Sequence, residues 1–276
     1  MNATSKLAGY AATIGSGILA LLLTSSRLHA AADDETSSQT NSNQLNQLLI
    51  SDVFETTPNK NLAGEGYATG EFRFLKFPGD PRQYQFALKG EYGITNLLAA
   101  GGWIPVYHAK IEEGDSHTGI GDITLFAQYK LDQLVNPQTV NLTAQLDIVL
   151  PTGNRSKFRD TGKFGVRPLI EAYKDFGPVV GPGNFGAYAL LGTTITTDPD
   201  LRIGLAGTYQ WEHVTGILEF DDLTGENRGR PFLTITPGLS FRGLQPWEMT
   251  VGIPVGLNNG SPDWGVVLKF TWALQK

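Results

Sequence analysis

Between Gln138 and Leu150 every second residue is apolar. Val140, Leu142, Ala144, Leu146, Ile148 and Leu150 share one parity, and Asn141, Thr143, Gln145 and Asp147 share the other. Successive side chains of a β-strand point to opposite faces, so this segment makes a strand with one oily and one wet face. The pattern returns along the chain. Tyr84, Phe86, Leu88 and Tyr92 oppose Gln83, Gln85, Lys89 and Glu91, while Leu201, Ile203, Leu205, Tyr209 and Trp211 oppose Arg202, Thr208, Gln210 and Glu212. Near the C-terminus, Val266, Leu268, Phe270, Trp272 and Leu274 alternate with Val267, Lys269 and Thr271. No helical period competes with this alternation.

The alternating segments run at 66–77, 82–93, 97–108, 119–131, 138–150, 163–174, 184–196, 200–212, 216–223, 231–242, 247–256 and 264–274, which makes twelve strands. Most are long enough to cross a bilayer, which a tilted strand does in about 9–11 residues. The expected fold class is all-β, a transmembrane antiparallel up-and-down β-barrel of twelve strands occupying residues 63–276. The segment 216–223 is the least regular, and residues 213–230 would also suit one long loop. If Gly93-Ile94-Thr95-Asn96 is a tight periplasmic turn, then residues 108–119, 152–163, 222–230 and 258–263 fall on the extracellular side. A soluble antiparallel barrel also alternates, but it turns its apolar faces inward. Placement of Trp103, Trp211, Trp247, Trp264 and Trp272 near strand ends, as in an interfacial girdle, favours the membrane form.

Composition removes several function classes. The mean hydropathy of −0.14 resembles that of a soluble chain only because alternating faces cancel in an average. With no Cys and 4 His, thiol catalysis and cysteine-ligated zinc are excluded and a histidine-rich metal site is hard to assemble. A net charge of −6 argues against nucleic-acid binding, which needs a basic surface. No Gly-x-Ser-x-Gly elbow occurs, so a membrane-embedded enzyme would have to rest on His108, His117 or His213. The acidic run Glu112-Glu113-Gly114-Asp115 is read first as a solvated loop and only second as a calcium site, since its spacing matches no defined calcium loop. Asp160, among Lys157, Arg159 and Lys163, is likewise a solvated loop before it is an anion-binding rim. Neither a metal nor a cofactor is expected.

Residues 1–32 have the form of a secretory signal peptide: Lys6, an apolar run from Ala8 to Leu23, then Ala30-Ala31-Ala32 before Asp33. Residues 33–62 are rich in Ser, Thr, Asn and Gln and are expected to form a disordered periplasmic tail, with Leu45 to Ile50 as a candidate docking segment. A barrel behind such a leader is expected in the outer membrane, with membrane lipid and a small-molecule solute as its partners.

Function would then lie in the lumen. The wet-face residues expected to line it are Glu71, Arg73, Lys89, Glu91, Asp122, Gln128, Lys130, Gln145, Asp147, Arg167, Glu171, Arg202 and Gln210. Both charge signs are present, and unpaired burial costs several kcal/mol per charge, so these groups must be paired or hydrated. A twelve-stranded barrel lies between a filled eight-stranded core and a sixteen-stranded porin. The reading is a narrow channel or transporter for a small solute. A non-conducting structural or partner-binding barrel is the alternative.

Three stretches add a resemblance: Glu91-Tyr92-Gly93-Ile94-Thr95-Asn96-Leu97, Gly119-Ile120-Gly121-Asp122-Ile123-Thr124-Leu125 and Leu150-Pro151-Thr152-Gly153-Asn154-Arg155. Together they resemble the outer-membrane barrel family named for the MetA pathway of phenol degradation, across about the first half of the expected barrel. The later Thr236-Pro237-Gly238-Leu239 and Gly252-Ile253-Pro254-Val255-Gly256 are similar but less specific. The resemblance implies a twelve-stranded outer-membrane barrel with a transporter-like role, and an aromatic or apolar solute follows from the family name alone.

Overall fold

The computed structural model describes residues 63–274, apart from 79–81, 111–115, 132–139, 154–163, 180, 196–198, 226–231 and 245. The expected leader, the tail and the two loops weighed as ion sites lie outside the described residues.

Fourteen strands form one antiparallel sheet: β1 Gly66–Lys76, β2 Arg82–Gly93, β3 Leu98–Lys110, β4 Ser116–Ile120, β5 Ile123–Lys130, β6 Asn141–Leu150, β7 Gly165–Gly177, β8 Asn184–Thr194, β9 Asp200–Trp211, β10 Val214–Gly225, β11 Phe232–Leu244, β12 Trp247–Gly252, β13 Val255–Gly256 and β14 Trp264–Leu274. Apart from two split staves, each strand pairs with its neighbours in sequence, and β1 pairs with β14 over its whole length, from Gly66 opposite Leu274 to Lys76 opposite Trp264. The sheet closes on itself, which removes the open edges that would invite aggregation. Two staves are each split in two: β4 and β5 at Gly121-Asp122, and β12 and β13 at Ile253-Pro254. The result is a closed twelve-strand antiparallel barrel.

Parity decides which face points where. Leu88, Ile170 and Leu218 are more than half exposed on the outside, whereas Asp147, Glu171 and Glu219 are buried inside. That is the reverse of a soluble barrel. Charged residues of outward parity, namely Lys76, Arg82, Lys110, Lys174 and Asp222, all lie within four positions of a strand end. The middle of the outer wall therefore carries no charge among the described residues, as a hydrocarbon surround demands.

Aromatic rings mark the two rims. At the end where β1 begins and β14 finishes, Trp247 stacks on Trp272 with centroids 5.0 Å apart and on Phe270 at 4.6 Å. At the other end Phe74 meets Tyr84 at 5.1 Å and Trp264 at 5.3 Å. Trp103 departs from the expected girdle. It pairs with Lys89 and Thr124, both inward positions, so its ring belongs to the inner wall.

The expected strand 216–223 is present and longer, because β10 runs from Val214 to Gly225 and pairs with β9 and β11 along nearly all of its length, which removes the long-loop alternative for 213–225. Two further expectations are corrected. Strand pairing consumes most of the expected 108–119 loop, since β3 continues to Lys110 and β4 starts at Ser116. Segregation of short turns from long loops is partial, because the 131–140 link shares its end with the two-residue links 212–213 and 245–246.

Glycines let rings lie flat on the inner wall. A methyl group at Gly101 would meet the Phe126 ring and the Gly90 carbonyl, and one at Gly121 would meet the Tyr107 ring. Phe126 breaks the polar parity of β5, and the bare backbone of Gly101 is what accommodates it.

Candidate functional site in the barrel lumen

Register places twelve of the thirteen expected lumen residues on the inner wall, and they sort into neighbourhoods. The first lies along the closing seam. Glu71 on β1 accepts from Arg73 Nη2 at 3.0 Å and faces Lys269 Nζ on β14 at 3.7 Å, and Thr69 and Thr271 hydroxyls meet at 3.1 Å on the same ladder. On β2, Lys89 Nζ pairs with Glu91 at 3.3 Å and lies 4.9 Å from the centre of the Phe126 ring.

The second neighbourhood is a hydrogen-bond chain across four strands. Gln128 Nε2 on β5 donates to Gln145 Oε1 on β6 at 2.6 Å, and Gln145 Nε2 donates to Asp147 Oδ1 at 2.6 Å. Arg167 on β7 closes the chain, with Nη1 3.4 Å from Asp147 Oδ2 and Nε 3.3 Å from Thr194 Oγ1 on β8. The Gln145 amide serves as both acceptor and donor, which fixes its orientation.

On the third side, Arg202 Nε on β9 lies 3.3 Å from Asp221 Oδ1 on β10. Further round, Arg242 Nε is 3.3 Å from Glu248 Oε1, which also accepts from Ser240 Oγ at 2.6 Å; Thr250 donates to Ser240 at 3.1 Å. Lys130 and Gln210 sit on the inner wall toward the end where β1 begins and β14 finishes.

Glu171 stands apart from these pairs. It is 1% exposed, and neither carboxylate oxygen has a hydrogen-bond partner. Around it Leu169, Tyr173, Tyr188, Leu190 and Ala206 form a buried apolar cluster on β7, β8 and β9. The inner wall of β7 to β9 therefore carries an apolar and aromatic cluster alongside the paired charges of Arg167 and Arg202.

Asp122 is the exception among the expected residues. It lies in the break between β4 and β5, where its Oδ1 accepts the Gly153 amide at 2.7 Å. Thr152 Oγ1 donates to the Gly121 carbonyl and accepts the Ile123 amide, both at 2.9 Å. Asp122 is thus a latch that holds the rim, and the loop motif beginning at Leu150-Pro151-Thr152 supplies its other half.

Sequence reasoning missed Glu219, Asp221, Arg242, Glu248 and Lys269 as lumen groups, although all have inward parity. The first two were lost in the weakly patterned β10, while Lys269 was read on the wet face of the last strand without being placed among the lumen residues. Trp103 and Phe126 were missed because an aromatic ring on a polar face runs against the alternation. The three histidines do not meet. His108, hydrogen-bonded through Nδ1 to Thr118 at 2.7 Å, and His117 lie toward one end of the barrel, and His213 occupies a turn at the other. Among the described residues no group of three histidine or acidic side chains could hold a metal ion.

The chain matches no protein-family model and no curated protein, so its resemblance to the MetA-pathway family is supported only at the level of the barrel. Solved structures do match. A crystal structure of an outer membrane channel from Pseudomonas putida F1 is similar with a TM-score of 0.51 at 13% identity, covering 80% of this chain and 98% of that one. The KdgM porin is similar with a TM-score of 0.51 at 10% identity, covering 75% of this chain and 99% of the porin. At such identities the likeness establishes the fold: this chain is folded as an outer-membrane β-barrel.

Proposed function

We propose that this protein is an outer-membrane channel or transporter for a small solute, exported through a cleaved leader, with both ends of the barrel chain facing the periplasm. The observation that carries the reading is the reversed polarity of the wall, apolar outside and lined inside by ion pairs spread over most of the strands. Such a lining costs desolvation energy and conformational entropy that a barrel serving only as an anchor has no need to spend.

The solute is small. Inner-wall polar groups pack against one another, with Gln128 and Ser240 fully buried, so the path is narrow or opens by rearrangement. Trp103, Phe126, Tyr173 and Tyr188 on the same wall support a solute with an apolar or aromatic body. That dense packing also favours the second reading, a non-conducting barrel whose paired interior is structural.

Single-channel recording of the refolded barrel in a planar bilayer separates the two, with a heat-modifiable gel shift confirming the folded state. Discrete openings establish a solute path. A folded protein that stays silent at all voltages refutes the channel and leaves the structural barrel.

A further inference from the structure

We propose that Glu171 anchors a luminal subsite for a primary organic ammonium carrying an apolar, preferably aromatic, body. This names a solute class for the channel proposed above and rests on that reading. The first observation is the carboxylate itself. It projects from the middle of β7 to the inside of the barrel, is 1% exposed, and leaves both oxygens without a donor. A buried carboxylate that accepts nothing is a costly arrangement in a chain that pairs its other acids so consistently.

The second observation is the charge around it. Lys89 and Arg202 are the cations that act on Glu171, and Asp147 and Glu91 are the anions. Lys89 lies 3.3 Å from Glu91, Arg202 lies 3.3 Å from Asp221, and Asp147 lies 3.4 Å from Arg167. Each of these cations is thus engaged by an acid other than Glu171. A cation from outside supplies what the wall does not.

The third observation is the setting, which selects the body of the ligand. Leu190 is the direct cross-strand partner of Glu171 on one side and Thr143 on the other. Leu169 and Tyr173 flank it on β7, and Tyr188 joins them in one apolar cluster. An ammonium has three N–H donors for two vacant carboxylate oxygens and the Thr143 hydroxyl, while its hydrocarbon body lies along the leucines and tyrosine rings. An inorganic cation would gain nothing from that apolar flank, and an anion would be repelled.

The test is calorimetric titration of the full-length mature barrel, folded in detergent, with three probes of one shape: phenethylammonium, 2-phenylethanol and phenylacetate. Phenethylammonium is expected to bind saturably, the alcohol roughly tenfold or more weakly, and phenylacetate not at all. Glu171→Gln keeps the shape and removes the charge, and is expected to lower the ammonium affinity by roughly tenfold or more. Equal affinity for ammonium and alcohol, unchanged affinity in Glu171→Gln, or no saturable binding to the folded barrel overturns the subsite. Should Glu171→Gln fail to fold, the three probes on the unaltered protein still decide. Bilayer recording runs beside the titration. Binding without conductance refutes the channel and keeps the subsite, whereas conductance without binding refutes the subsite alone.

Discussion

Lys269 on the last strand and Glu71 on the first are direct cross-strand partners, and their charged atoms lie 3.7 Å apart on the inner wall. Sequence ends more than 190 residues apart are joined by one charge pair, with the Thr69 and Thr271 hydroxyls two positions along the same ladder. Closure is thereby encoded in side chains as well as in backbone hydrogen bonds. Lys269→Glu would place two acids at the seam with Arg73 as their cation, and should destabilise the barrel by about 2–4 kcal/mol, as expected for a buried pair converted to like charges. The swap of both residues, Glu71→Lys with Lys269→Glu, should recover at least half of that loss. Urea midpoints of the refolded proteins measure both effects. A Lys269→Glu barrel as stable as the parent would show that the seam is held by backbone alone.

How much of this was legible in the sequence follows from what alternation can and cannot carry. Parity identifies the strands and the wet face of nearly all of them because a bilayer outside and polar groups inside sort side chains with a strict period of two. It is weak at β10, where Gly216 and Ile217 blur the contrast, and so does not single out Asp221, the partner of Arg202. Partner choice lies beyond parity altogether. That Asp147 meets Arg167, or that Glu171 meets no donor, depends on register and barrel closure, which no local window contains. The motif around Gly121-Asp122 is visible as a pattern, but its role as a rim latch with Thr152 and Gly153 appears only when two distant segments are brought together.

Tryptophan placement gives an independent check of which side of the wall is which. Trp211, Trp247, Trp264 and Trp272 have outward parity near strand ends and are exposed on the outer surface, whereas Trp103 lies on the inner wall. In vesicles made with lipids brominated on their acyl chains, single-tryptophan variants retaining one of the outer four should lose most of their fluorescence. The variant retaining only Trp103 should lose little. Strong lipid quenching of Trp103 would mean that β3 is turned over, and with it Lys89 and Thr124.

The tight link between β9 and β10 stores strain that can be removed. Glu212 adopts a φ of 48°, a left-handed conformation that costs a side-chain-bearing residue about 1–2 kcal/mol and a glycine almost nothing. Its side chain is exposed. Glu212→Gly should therefore stabilise the barrel by about 0.5–1 kcal/mol, after the greater flexibility of glycine in the unfolded chain is subtracted. The expected readout is a higher urea midpoint with an unchanged slope, and a fall in the midpoint would contradict the turn geometry.

The chain Gln128, Gln145, Asp147, Arg167, Thr194 ties β5 through β8 together, so Arg167 is where selectivity and structure are most closely coupled. Arg167→Glu would set two carboxylates side by side on a wall where Asp147 is 4% exposed, and the only relief within reach is a cation. A solute path through this level should then favour cations, with the cation-to-anion permeability ratio in a salt gradient rising several-fold relative to the parent. Lys89→Glu, on β2, leaves Glu91 without its lysine and should move the ratio in the same direction. Two substitutions on different strands are needed because either alone could alter the path by local collapse. If both variants fold and conduct with the parent's ratio, permeant ions do not pass these side chains and the lumen is not the path.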